Sequence, residues 1–379
     1  MFRKSCNFPQ QFELNLHHMS DSPTSASLHH KTIEHSGWVE SQVTLDGPVS
    51  SDDLLQALGE LPAGPESTVL GVDLFGTDKE IAGMEAVVKQ AGITAPVTSV
   101  ISSAPGCGGM QFAAATGIEP VPIILRDRIS GYLIEGPGTR HCILGGLLPG
   151  NPEASREDQT RELFGTIEEA LAFAGLSFEH VVRTWFYNED ILDWYREFND
   201  VRTEFFQHHA IRRMPASTGI GARNPAGTAL TGKAVAVKSG PGEVLIQAIC
   251  SPLQCDAFAY GSAFSRALEV SDSCSRLLYI SGTASIEPGG RSAHEGDPAA
   301  QIELTMNVVS AILGEAGMRF EDTTRAIAYF RDPSHIPLWE AYCHNLPPLP
   351  LVSLGCHVCR DDLLFEIELD ASSREAPPA

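Results

Sequence analysis

The feature that most constrains this 379-residue chain is that it repeats itself. Three segments carry one order of signals: a strand, a helix, a second strand, a second helix, then two closing strands. The last copy is the clearest. Residues 260–267 lead into an apolar strand at 276–282, and a Gly-rich loop at 287–296 follows. Ile302, Met306, Val309, Ile312 and Leu313 then form a helical stripe that stops at Gly317. A strand at 324–330 and a short helix at 336–343 complete the pattern before the closing strands. The middle copy keeps the spacing, with a strand at 140–145, a helix at 160–175, a strand at 181–187 and a helix at 191–206. Its closing strands, 215–221 and 234–237, are joined through Asn224-Pro225-Ala226-Gly227. A degraded first copy reads as a helix at 51–61, a strand at 68–75, a helix at 79–92, a strand at 97–102, a Gly-rich bend at 105–109 and a last strand near 121–125.

This order predicts an α/β fold with helices on one face of a mixed sheet. One such unit leaves apolar surface uncovered, so copies in one chain pack together, and three copies predict an intramolecular pseudo-trimer. The expected divisions are a disordered leader at 1–37, with Met19 a candidate start, repeats at 38–130, 131–245 and 246–371, and a tail at 372–379.

The stretch 354–370, LGCHVCRDDLLFEIELD, reads as a β-hairpin turning at Arg360-Asp361-Asp362. Alternation in its second run sets Glu366 and Glu368 on one face and Phe365, Ile367 and Leu369 on the other.

Charge excludes one class of partner. The formal net charge of −22 lacks the basic footprint that nucleic acid requires. An anionic substrate therefore needs its own local cluster of cations. Nine dispersed cysteines form no disulfide framework and point to a reducing cytoplasm. Cys356 and Cys359 have CxxC spacing, yet no second CxxC pair or HxxxH accompanies them, so no metal site is expected. No apolar run reaches membrane-spanning length. No dinucleotide or phosphate loop is present, and no cofactor is expected.

The third repeat resembles the Rid/YjgF family in the opening at 261–267, in Ile280-Ser281-Gly282 and in the closing Glu366-Ile367-Glu368. Rid proteins are homotrimers with sites between subunits, so the resemblance implies three tandem Rid/YjgF-like (chorismate-mutase-like) repeats in a fused version, the first degenerate. One departure stands out. Rid deaminases hold a substrate carboxylate with an Arg upstream of the closing strand, where this chain has Leu351. Over roughly residues 130 to 370 the chain resembles the chorismatases, through Arg183–Tyr187, Asp193–Asn199, Pro215–Gly221, Ser281–Ser285, Cys359 and Glu366.

That resemblance implies cofactor-free hydrolysis of chorismate. The demanding step is protonation of an enolpyruvyl carbon, and it needs a carboxylic acid kept protonated near neutral pH. Glu366, flanked by Phe365 and Ile367 on a strand expected to be buried, fits that role. Cys359, seven residues earlier, matches the cysteine of aromatising members, with Cys356 as competitor. It implies 3-hydroxybenzoate as product, with 4-hydroxybenzoate as a possible companion. The two carboxylates of chorismate call for cations: Arg223 and Arg266 first, Arg183 and Lys233 second. Thr218, Gly221, Gly282 and Thr283 stand at strand ends able to hold oxyanions, and Tyr187 and Tyr260 are placed to wall the ring. A monomer is expected, because three repeats close the ring within one chain. The competing readings are hydrolysis that stops at the dihydroxycyclohexadiene carboxylate, a Rid-like imine or enamine deaminase, and a non-catalytic small-molecule binder.

Overall fold

A computed structural model describes residues 26–105, 107–240, 244–255 and 263–374. Three sheets, each with two helices, follow one another along the chain. The first holds β1 (Ser27–His35), β2 (Trp38–Asp46), β3 (Thr68–Gly76), β4 (Val97–Ile101) and β5 (Gly109–Thr116), with α1 (Ser51–Gly59) and α2 (Asp78–Gln90). The second holds β6 (Val121–Leu125), β7 (Arg128–Gly136), β8 (Thr139–Leu147), β9 (Val181–Asn188), β10 (Ala216–Ile220) and β11 (Leu230–Ser239), with α3 (Arg156–Phe173) and α4 (Ile191–His208). The third holds β12 (Leu245–Ile249), β13 (Ala267–Ser271), β14 (Arg276–Ala284), β15 (Thr323–Phe330), β16 (Leu351–Gly355) and β17 (Phe365–Ser373), with α5 (Pro298–Glu315) and α6 (Ile336–Cys343).

The repeat is exact at the level of strand order. Each sheet contains the same four-strand core, β2-β5-β3-β4, β8-β11-β9-β10 and β14-β17-β15-β16, in which only the last pair is parallel. Local chemistry sets the helix limits. Ser155 and Asp297 cap the starts of α3 and α5 through their side chains. Gly175 and Gly317 follow the ends of these helices with φ of +67° and +65°, a conformation that only glycine adopts without strain.

Three sequence expectations are corrected here. The stretch 354–370 is not a hairpin: β16 and β17 both pair with β15, which lies between them. The closing strand is central rather than at an edge because β14 takes its other side. The segment β1 begins at Ser27, inside the stretch read as a leader, and pairs along its length with β2. The strand at 121–125 joins β7 in the second sheet instead of closing the first. Residues 1–25, where the rest of that leader falls, lie outside the described residues.

The alternation read from the closing strand organises the whole molecule. Phe365, Ile367 and Leu369 pack under α5 and α6 in the core of the third repeat. The opposite face of each sheet turns inward, where Phe75 and Val100, Trp185, Tyr187 and Ile220, and Ile327, Tyr329 and Leu354 form one cluster shared by all three repeats. Around it the ends of the parallel strands close a ring of backbone hydrogen bonds. The Ile101 N–H donates to the Arg223 carbonyl (2.9 Å), Gly221 to His357 (2.8 Å) and Ser103 to Gly355 (2.8 Å). The pseudo-trimer is thus closed within one chain.

Candidate active site

Between the second and third repeats lies a partly open cavity. From the second repeat, β10 contributes Ser217 and Gly219 and α4 contributes Tyr195 and Arg202. The third repeat supplies Phe264, Arg266, Gly282, Ala284, Cys359, Arg360 and Glu366. The seam is stitched by hydrogen bonds from the Ser217 N–H to the Ser281 hydroxyl (2.8 Å) and from the Gly282 N–H to the Thr218 hydroxyl oxygen (3.1 Å).

Glu366 is 4% exposed and faces this cavity. Burial first, and then the neighbouring Glu368 carboxylate, push its carboxyl up to about 8, against the pull of Arg266, Arg183 and Arg360. At neutral pH it is therefore an acid with a proton to give. Gly282 makes room for it: a Cβ at that position would stand 2.0 Å from Glu366 Oε1.

The acid occurs once. Glu366 pairs across the sheet with Tyr329, and the matching partners of Tyr187 and Phe75 in the other repeats are Thr231 and Gly109. Only the seam between the second and third repeats therefore carries a carboxyl at this register.

Beside Glu366, the Cys359 thiol is pushed up to about 12 by burial and by the Glu366 charge, and Tyr195 lines the same cavity. It stays a thiol at neutral pH, so it offers shape and a weak donor rather than a thiolate nucleophile. Cys356 is not in the cavity; it is 2% exposed in the cluster shared by the three repeats.

Three guanidinium groups line the cavity. Arg202 and Arg266 both lie over the Phe264 ring, at 5.8 and 5.6 Å. Arg266 Nε also donates to the Cys255 carbonyl (3.1 Å), and Arg360 Nη1 donates to the Gly290 carbonyl (2.8 Å). Three anchored cations beside an apolar wall have the chemistry that suits anionic groups inside an acidic protein.

Several sequence-predicted residues lie elsewhere. Arg223 is half exposed and paired with Asp78 (2.9 Å), near the junction with the first repeat. Tyr187 is fully buried in the shared cluster, because a central strand of the pseudo-trimer leaves its inward face no solvent. Thr283 points away from the cavity, and its hydroxyl donates to the Ser281 carbonyl (2.8 Å). Gly221 serves docking: it exchanges backbone hydrogen bonds with His357, and a Cβ there would meet Ile191 at 2.6 Å. Thr218 lies beneath the cavity floor, where its hydroxyl accepts from Arg183 (2.8 Å) and from Gly282. Lys233 pairs with Asp73 toward the first repeat. Tyr260 lies outside the described residues. Glu366, Cys359, Arg266 and Gly282 do meet in one cavity.

Sequence reasoning missed Tyr195, Arg202 and Arg360. A signal existed for two of them, since Tyr195 and Arg202 stand two helical turns apart and so share a face of α4. Arg360 was read as turn chemistry.

The fold and the seam site define the class, a chain of fused repeats of the Rid type. The family model described as Endoribonuclease L-PSP matches residues 142–230. A 3-hydroxybenzoate synthase from Streptomyces hygroscopicus is 29% identical over 248 residues, covering 57% of this chain and 70% of that protein. A chorismatase from Streptomyces rapamycinicus is 27% identical over 219 residues, covering 51% of this chain and 64% of that one. A crystal structure of a chorismatase superposes with a TM-score of 0.64 at 20% identity, covering 92% of this chain and all of that one, and shows the shared fold. By these matches the chain is similar in sequence to chorismatases over about half its length and shares the fold of one of them.

Among the described residues no helix is long and apolar enough to cross a membrane.

Proposed function

We propose that the protein cleaves the enolpyruvyl ether of chorismate, releasing pyruvate and a hydroxybenzoate, chiefly 3-hydroxybenzoate. The observation that carries this reading is a buried carboxyl held protonated near neutral pH in a cavity lined by three guanidinium groups. Chorismate presents the complementary features: two carboxylates, an apolar ring and an acid-labile ether.

In the proposed reaction Arg202, Arg266 and Arg360 hold the carboxylates, and Phe264 and Tyr195 border the ring. The Glu366 carboxyl gives its proton to the terminal methylene carbon of the enolpyruvyl group, leaving a carboxylate and an oxocarbenium ion. Water adds to that ion, and the proton it sheds restores the acid. The resulting hemiketal collapses by breaking the bond between its ketal carbon and the ring oxygen, so pyruvate leaves. The ring then either keeps both oxygens, as a dihydroxycyclohexadiene carboxylate, or loses one as water and becomes aromatic. With loss of water, the two products together have the composition of chorismate. Cys359, a neutral thiol within reach of Glu366 and Tyr195, fills the part of the cavity where that choice is made.

Incubating the purified protein with chorismate, with pyruvate followed through lactate dehydrogenase, tests this reading. Stoichiometric pyruvate release is expected. Chorismate left intact at high protein concentration would overturn it.

A further inference from the structure

Glu366 sits two residues along β17 from Glu368, on the same inward face. Glu368 is fully buried, yet it does not lack partners. Its Oε2 accepts from Arg183 Nη2 of the second repeat (2.7 Å). Its Oε1 accepts from Trp185 Nε1 of the second repeat (2.7 Å) and from Arg325 Nη2 of the third (2.9 Å). The first repeat braces the clamp: Gln111 Oε1 accepts from Arg325 Nη2 (3.1 Å), and Gln111 Nε2 donates to the Ala326 carbonyl (2.9 Å). The second and third repeats thus bond to one carboxylate, and the first holds one of the guanidinium groups that clamps it.

We propose that Glu368 is a positioning residue for Glu366: clamped as a permanent carboxylate where the three repeats meet, it holds the neighbouring acid in its proton-donating form. This rests on the reading of Glu366 as the general acid.

The electrostatics agree in direction. Burial alone would raise Glu368, but Arg183 and Arg325, with hydrogen bonds from Thr218 and Trp185, lower it and keep it ionised. Its charge is the largest effect on Glu366 after burial. The groups facing Glu366 otherwise oppose it. Arg183 from β9, Arg266 ahead of β13 and Arg360 ahead of β17 favour its ionisation, and Arg202 from α4 adds a further cation to the cavity. Cys359 and Tyr195 face it as neutral groups, since both are raised, largely by burial. Without Glu368, burial alone would have to hold the carboxyl protonated against the surrounding cations. The arginines that suit a dicarboxylate substrate thus work against the acid beside them, and Glu368 offsets that conflict.

The arrangement also explains why the clamp is anchored from three sides. A mobile or solvated carboxylate would be screened. One fixed by two guanidinium groups and an indole acts through a low-dielectric interior.

The test follows the Glu366 carboxyl itself. Infrared difference spectra between each protein and its Glu366→Gln counterpart isolate the carboxylic-acid carbonyl band, which is titrated with pH and needs no substrate. Glu368→Gln should move the midpoint down by roughly one to two pH units. Glu368→Asp, which keeps the charge, should stay close to native. Because Glu368→Gln leaves Arg183 and Arg325 with Asp370 as their shared carboxylate, one buried cation is in excess; the double variant Glu368→Gln/Arg325→Met gives a second route with the local charge balanced, and the same downward shift is expected. An unmoved midpoint in a folded Glu368→Gln or double variant overturns the proposal, even if chorismate is cleaved. A shifted midpoint in a protein that releases no pyruvate would uphold the tuning and overturn the chorismate reading instead.

Discussion

At the scale of single residues, the cavity separates two cysteines that spacing could not. Cys359 lines the cavity with Glu366 and Tyr195, whereas Cys356 is packed in the cluster common to the three repeats. In the proposed reaction aromatisation is strongly downhill once the ether is activated, so the cavity need only steer a reactive intermediate. A thiol against the ring excludes water where alanine would leave a gap of about one atom. Cys359→Ala should keep pyruvate release and move the product toward the non-aromatic dihydroxycyclohexadiene carboxylate, read by chromatography of the reaction mixture. An unchanged aromatic product from that variant, with a shift from Cys356→Ala, would move the role to the other cysteine. The inward placement of Glu366 was legible because alternation along a strand is a property of the backbone. The degree of its perturbation was not, because that depends on Glu368 and on arginines distant in sequence.

Elements carry the recognition. The face of α4 that holds Tyr195 and Arg202 reaches across the seam to the third repeat, and Phe264 receives both Arg202 and Arg266. Replacing Arg202 by Met removes a charge-assisted hydrogen-bond donor while keeping the length of the side chain. KM for chorismate should rise roughly tenfold to a hundredfold with a much smaller change in kcat. Steady-state kinetics decides it, and an unaltered KM would remove Arg202 from carboxylate binding. Helix periodicity and strand alternation placed most elements of the three repeats correctly. They failed at 354–370, where two adjacent apolar runs look like a hairpin although β15 separates them. Local sequence carries turn chemistry but not the order of strands in a sheet. The same limit misassigned Arg223 and Thr283, whose directions depend on how repeats dock.

At the scale of the whole molecule, the described residues of a threefold architecture carry an acid at this register in the third repeat and not in the other two. The ring of backbone hydrogen bonds at 101–103, 221–223 and 355–357 closes without a second chain. Thr231 and Gly109 stand where the other seams would need an acid. A protein closed in this way should sediment at its chain mass of 40.8 kDa. A species of three times that mass would show that further surfaces drive association. Internal duplication was readable because each copy repeats its helix and strand signals. The hydrogen bonds that close the ring were not, since they join backbone groups that no side-chain pattern marks.

The central claim is that one buried carboxyl supplies the proton, and it is tested most directly by pyruvate release from chorismate in Glu366→Gln beside the native protein. Gln keeps the shape and hydrogen bonding of the acid but has no proton to give to carbon. Native turnover should decline as pH rises through about 8, where Glu366 ionises and the acid form is lost. Glu366→Gln, folded as judged by circular dichroism, should be slower by roughly 10²–10⁴ and should lose that alkaline decline. Turnover in Glu366→Gln close to native, with the same dependence on pH, would contradict the account.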